Sequence, residues 1–164
     1  MADEELIIRR IFDAPREEVW RAWTDPETVK CWFGPEGYTT PVVQIDLREG
    51  GMSLYDMRSP DGKDIWSGGE FIEIIPLERI VVTDYFSDSE GNPVSPSEYG
   101  MTGEWPDQLL VTATFEDYGQ GKTKLILRHM GFPDEENRDG ACEGWSESLD
   151  KMARCVESQM MPMG

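Results

Sequence analysis

Apolar positions follow two periodicities along this chain, and the order in which they alternate suggests a layout. Residues 5–12 alternate, with Leu6, Ile8 and Phe12 on one parity and Ile7 and Ile11 on the other, which reads as a strand covered on both faces. The stretch FDAPREEVWRAWTDPETVKCWFGPEG, residues 12–37, then changes to helical spacing. Pro15 suits a first helical turn, where its missing N–H would have no partner anyway. Val19, Ala22 and Trp23 continue from it as one apolar face. Thr24 and Glu27 have capping-box spacing and Pro26 opens a second, shorter helix, which ends at Gly34-Pro35.

From there the pattern is strand-like as far as Met130, with candidates at 41–47, 51–58, 64–75, 78–86, 109–117 and 122–130. Glu49-Gly50-Gly51, Ser59-Pro60-Asp61-Gly62 and Tyr118-Gly119-Gln120-Gly121 carry turn chemistry, so consecutive strands should pair as antiparallel hairpins. The long 86–108 connection holds Tyr99, Met101 and Trp105 and reads as a partly ordered lid. Helical spacing returns over 139–159, where Trp145, Leu149, Met152, Ala153 and Val156 form one stripe, and 160–164 reads as a frayed tail. Seven strands with one long amphipathic helix make a single α+β domain over 1–164, in which the helix stripe must bury against the concave face of a curved antiparallel sheet.

Composition narrows the partners. With 33 acidic against 15 basic residues the chain carries a net charge of -18, and its longest basic run is Arg9-Arg10, so nucleic acid and anionic membranes are not expected partners. The acidity serves solubility, and few lysines among many carboxylates also suits a high-salt cytosol. Cys31, Cys142 and Cys155 match no zinc or CxxC spacing and are expected as reduced thiols. The acidic start MADEE is unlike a signal peptide and no apolar run is long enough to span a bilayer, which points to the cytoplasm.

Candidate chemistry is sparse. His129, the single histidine, shares its parity with Thr123, Leu125 and Leu127 and should face inward, where it either orients a ligand or acts as an acid or base. A buried histidine bonded to a neighbour is the commoner outcome. Asp46, Asp56, Glu70 and Asp84 fall in or beside strands, where carboxylates mostly face solvent. No metal site, nucleotide loop or nucleophile elbow is present in the sequence, and no cofactor is expected.

The segments RRIFDAPREEVWRAWTDPETVKCWFGPEG, DLREGGMSLYDMRSPDG, WSGGEFIEIIPLERIV and GWSESLDKM together resemble the activator of heat-shock-protein-90 ATPase homologue family, within the START-like, birch-pollen-allergen-like superfamily. The resemblance covers nearly the whole chain. It implies a helix-grip fold with a hydrophobic cavity between sheet and C-terminal helix. The expected function is binding of a small hydrophobic molecule such as a lipid, polyketide or aromatic metabolite. A chaperone-linked interaction domain and a cyclase- or hydrolase-like enzyme are the alternatives. The aromatic and methionine content suits an adaptable pocket. Expected ligand-binding residues are Trp32, Met52, Trp66, Phe71, Tyr85, Trp105, Phe115, His129, Trp145 and Leu149, with Tyr99 and Trp105 closing the entrance. The assembly is expected to be a monomer or a homodimer.

Overall fold

A computed structural model describes residues 4–159, so the expected tail at 160–164 lies outside the described residues. The elements are β1 (Glu4–Phe12), α1 (Arg16–Thr24), α2 (Pro26–Trp32), β2 (Thr39–Ile45), β3 (Met52–Arg58), β4 (Asp64–Ile75), β5 (Arg79–Ser87), a 3-10 turn (Pro96–Tyr99), β6 (Leu109–Gly119), β7 (Lys122–Phe132) and α3 (Glu135–Gln159). The strands form one antiparallel sheet in the order β1-β7-β6-β5-β4-β3-β2. Strands β2 to β7 are joined as successive hairpins, whereas β1 and β2 lie on opposite edges. The chain must therefore cross the whole sheet between them, and α1 and α2 make that crossing. After β7 the chain returns as α3, which packs on β1, α1 and α2. This is the helix-grip arrangement.

Alternation along the strands supplies the core. Leu109, Val111, Ala113 and Phe115 of β6 are buried, as are Thr123, Leu125, Leu127 and His129 of β7. They meet Val19, Ala22 and Trp23 of α1, Trp32 of α2, and Leu149, Met152 and Val156 of α3. The Trp32 indole N–H donates to the Ala22 carbonyl at 2.8 Å, and the Thr123 hydroxyl to the Ala14 carbonyl at 2.7 Å. Both bonds tie the crossing segment to the core while satisfying polar groups that burial would otherwise strand. Curvature requires close backbone approach where β4 meets β5. A Cβ on Gly69 would lie 2.0 Å from the Thr83 carbonyl oxygen, so only glycine fits there.

Three details depart from expectation. The Thr24–Glu27 capping box does not form. Thr24 closes α1 by donating to the Trp20 carbonyl at 2.9 Å, and Asp25 occupies the helix junction, accepting from the Thr28 hydroxyl at 2.6 Å. Helix α3 starts at Glu135, a turn before the expected 139, because Asp134 accepts from the Asn137 N–H at 2.8 Å as an N-cap residue does. Finally, Cys31 and Cys155 are joined as a disulfide linking α2 to α3, with Cα atoms 6.6 Å apart; Cys142 is the free thiol among the described residues. The expectation of reduced thiols fails for this pair because 124 residues separate it in sequence and no spacing motif announces it.

One buried group lacks adequate compensation. The Asp56 carboxyl is 1% exposed, one of its oxygens has no partner, and Arg58 lies 3.8 Å from the other. Burial first, then the charge of Asp64, pushes it up to about 6.

Two outcomes follow. Thiol titration of the unfolded, unreduced protein should count one thiol, rising to three after reduction, and Cys31→Ser should lose about 2–4 kcal/mol of stability. Three thiols without reductant would show the bond to be absent. A carboxyl whose folded pKa is raised contributes stability that is complete below its unfolded value, near 3.8, and lost as pH rises through about 6. Asp56→Asn should therefore match the wild type in denaturant unfolding at pH 4 and exceed it at pH 8 by about 1–3 kcal/mol. Equal stabilities at pH 8 would refute the assignment.

Candidate functional site: an aromatic cavity with one polar end

Helix α3 fills only half of the concavity it crosses. Its C-terminal half presents Leu149, Met152 and Val156, all fully buried. Toward its N-terminus it presents Glu136, Asn137, Gly140, Ala141, Gly144 and Ser148, a helical stripe of small or polar residues in which Trp145 is the one large side chain. Trp145 reaches β7 at His129, but the small residues around it leave a cavity of about 660 Å³ above β3 to β7.

Aromatic rings form most of its wall. Trp23 stacks on Trp145 with centroids 5.8 Å apart and planes 7° from parallel, and Phe33 stacks on Tyr55 at 4.7 Å. Trp105 from the 88–108 segment stands edge-on to Phe86 and to Phe132, at 5.6 and 6.1 Å, and closes the far side. The Asn137 amide donates to the Thr102 carbonyl at 2.9 Å and holds this segment to α3. At the opposite lip, the Lys151 ammonium donates to the carbonyls of Gly34, Pro35 and Tyr38 at 3.0–3.3 Å, fixing the turn after α2. Burial holds the Lys151 ammonium below its ordinary range.

Polar groups gather at one end. Ser53 and Tyr55 from β3, Asp84 from β5 and His129 from β7 all face the cavity, because each follows the inward alternation of its strand. Burial pushes the Tyr55 phenol up to about 12; its bond to Ser53 opposes the shift and the Asp84 charge adds to it. The phenol is therefore a standing hydrogen-bond donor at neutral pH.

His129 is held from both sides. The Trp145 indole N–H donates to Nδ1 at 3.0 Å. An indole can only donate, so Nδ1 presents its lone pair and the ring proton sits on Nε2. An Asp84 oxygen lies 2.9 Å from Nε2, yet it is off the N–H direction, and Nε2 makes no aligned hydrogen bond. The chemical consequence is specific. A general base needs a free ring lone pair, and the one lone pair here is taken by tryptophan. The geometry suits donation from Nε2 and not activation of a nucleophile.

Of the residues expected at the site, Trp32, Tyr85, Trp105, His129 and Trp145 border the cavity. Five others do not. Ser53, Tyr55 and Met57 face inward on β3, so Met52 falls on the opposite face, 47% exposed; likewise Ile65 and Ser67 turn Trp66 away. Phe71, Phe115 and Leu149 have the inward parity but sit where α1 and α3 close onto the sheet, as in the Trp20–Phe115 contact at 5.2 Å, and are packed into solid core. Tyr99 packs on Phe86 and donates to the Ser87 carbonyl at 2.5 Å, outside the cavity wall. Tyr85 and Trp105 also border a second groove, on the other face, with Met52 and Glu70. Asp84 was not expected to face inward, and Ser53 and Tyr55 were missed; the parity of β3, readable from Ser53, Tyr55 and Met57, was the available signal. No group of three or more His, Cys, Asp or Glu that would hold a metal occurs among the described residues. None of the described helices is long and apolar enough to cross a membrane.

Solved structures share this architecture. A Chromobacterium violaceum protein, 29% identical, aligns over 93% of this chain and 96% of its own with a TM-score of 0.77. The AHSA1 protein of Silicibacter pomeroyi, 23% identical, aligns over 95% of this chain and 99% of its own at 0.76. An Arthrobacter aurescens protein, 24% identical, covers 98% of this chain and 88% of its own at 0.75. No curated protein matches the chain. The family profile described as Activator of Hsp90 ATPase homolog 1-like protein matches residues 13–157, and with that span, together with the seven-stranded grip around α3, the chain belongs to this family.

Proposed function

We propose that the protein binds a small, largely apolar molecule in the cavity between sheet and α3. The observation that carries this reading is the combination of about 660 Å³ of space, walls of stacked tryptophan, phenylalanine and tyrosine, and a cluster of polar groups at Tyr55, Asp84 and His129. Ligand sites are typically apolar enclosures with a few convergent polar groups. Burying roughly 300 Å² of an apolar ligand at about 25 cal/mol per Å² contributes about 7 kcal/mol before ordering costs. Trp32, Trp145 and Trp105 supply surface, while the polar cluster of Tyr55, Asp84 and His129 orients a polar group. Residues 88–108 act as the lid, with Trp105 as the residue that moves for entry.

Docking to a chaperone is the second reading, and it is favoured by the family description alone. A catalytic role has the His129–Asp84 pair in its favour and the engaged Nδ1 against it.

Nile red, a neutral dye that brightens in apolar surroundings, should bind the wild-type protein and raise its melting temperature by mass action. Ala141 borders the cavity from the open half of α3, so Ala141→Phe fills the space. That variant should weaken the dye at least about ten-fold while melting within a few degrees of wild type. Unchanged dye affinity in a folded Ala141→Phe protein would remove the cavity as the binding site.

A further inference from the structure

The cavity's charge is one-sided. Asp84 and Glu136 are its ionisable acids, and the wall contains no Lys or Arg. The Lys151 ammonium, at the 34–38 lip, is engaged by three carbonyls and points its charge at them. His129 adds no cation, because the tryptophan N–H on Nδ1 leaves the ring with its single proton on Nε2. Asp84 thus stands about two-thirds buried, at 34% side-chain exposure, beside aromatic rings and without an aligned donor. With no Lys or Arg in the wall to face it, this carboxylate is the group a ligand cation would pair with through charge-assisted hydrogen bonds. The rings of Tyr55, Trp145 and Trp23 border the same cavity, and aromatic faces attract positive charge. A ligand carboxylate or phosphate would meet Asp84 with no compensating cation.

Resting on the reading of the cavity as a ligand site, we infer that its ligand is a hydrophobic amine, whose protonated nitrogen pairs with Asp84 while its apolar body lies against the tryptophans. Fatty acids and other anionic amphiphiles are excluded by the same arrangement. The net charge of -18 draws cations toward the whole surface, but that field does not distinguish one site. Asp84 does.

Three probes that share one indole body separate the possibilities: tryptamine (cationic), tryptophol (neutral) and indoleacetate (anionic). Each is titrated by calorimetry at one ionic strength against wild type, Asp84→Asn and Ala141→Phe, with Nile red competition alongside. The expected order on wild type is tryptamine over tryptophol by at least about ten-fold, with indoleacetate weakest. Asp84→Asn should abolish the preference for the amine and leave tryptophol within about three-fold, since one charge in eighteen barely alters the global field. Ala141→Phe should weaken all three. Tryptophol or indoleacetate equal to tryptamine on wild type overturns the inference, as does a preference that survives Asp84→Asn or an absence of indole binding while Nile red binds. Failure of Nile red as well would instead overturn the ligand-site reading beneath it. Should Asp84→Asn fail to fold, the order on wild type and the weakening of all three probes in Ala141→Phe decide.

Discussion

The laying of α3 across the concave face of the sheet is the constraint on which the rest depends. A curved seven-stranded sheet exposes an apolar concavity that one helix cannot fill along its whole length. Where α3 carries Leu149, Met152 and Val156, and where α1 adds Val19 and Trp23, the space closes into core. Where it carries Gly140, Ala141, Gly144 and Ser148, the space stays open. Core and cavity are thus two halves of one interface, separated by side-chain volume and not by a change of fold. The disulfide from α2 to α3 and the Lys151 contacts to the 34–38 turn hold the helix at this height above the sheet.

The polar end obeys the same geometry. The five strands beneath the cavity deliver few polar side chains inward, and three of these side chains, Tyr55, Asp84 and His129, converge because β3, β5 and β7 each turn a polar residue to the cavity near Trp145. The Trp145 indole then decides what His129 does. By donating to Nδ1 it fixes the tautomer, and a ring so held keeps its proton on Nε2, beside Asp84. A single helix residue therefore belongs to the aromatic wall and also sets the chemistry of the only histidine.

Much of this was legible beforehand, for local reasons. Turn chemistry at 49–51, 59–62 and 118–121 separated the hairpins, and the inward parity of Thr123, Leu125 and Leu127 carried His129 with it. Errors arose where a local rule met a long-range decision. Thr24 and Glu27 have the spacing of a capping box, but Thr24 is already spent on the Trp20 carbonyl. Phe71, Phe115 and Leu149 have the right face, yet parity does not say which stretch of a strand lies under packed helix. Met52 and Trp66 were assigned to the wrong face of theirs. The acid proposed for the site, Asp84, looked like any strand carboxylate until the Tyr55 and His129 strands were laid beside it.

Element order, the antiparallel sheet and the burial of one helix stripe follow from periodicity and turn residues within a few positions of each other, and so could be read from the chain. That Cys31 meets Cys155 across 124 residues, that β1 and β2 end on opposite edges, and that the concavity is half filled emerged with the folded arrangement. It alone brought a tryptophan N–H, a histidine and an aspartate from three elements to one end of the cavity. Such meetings depend on the distance between elements in space, and no spacing along the chain encodes that distance.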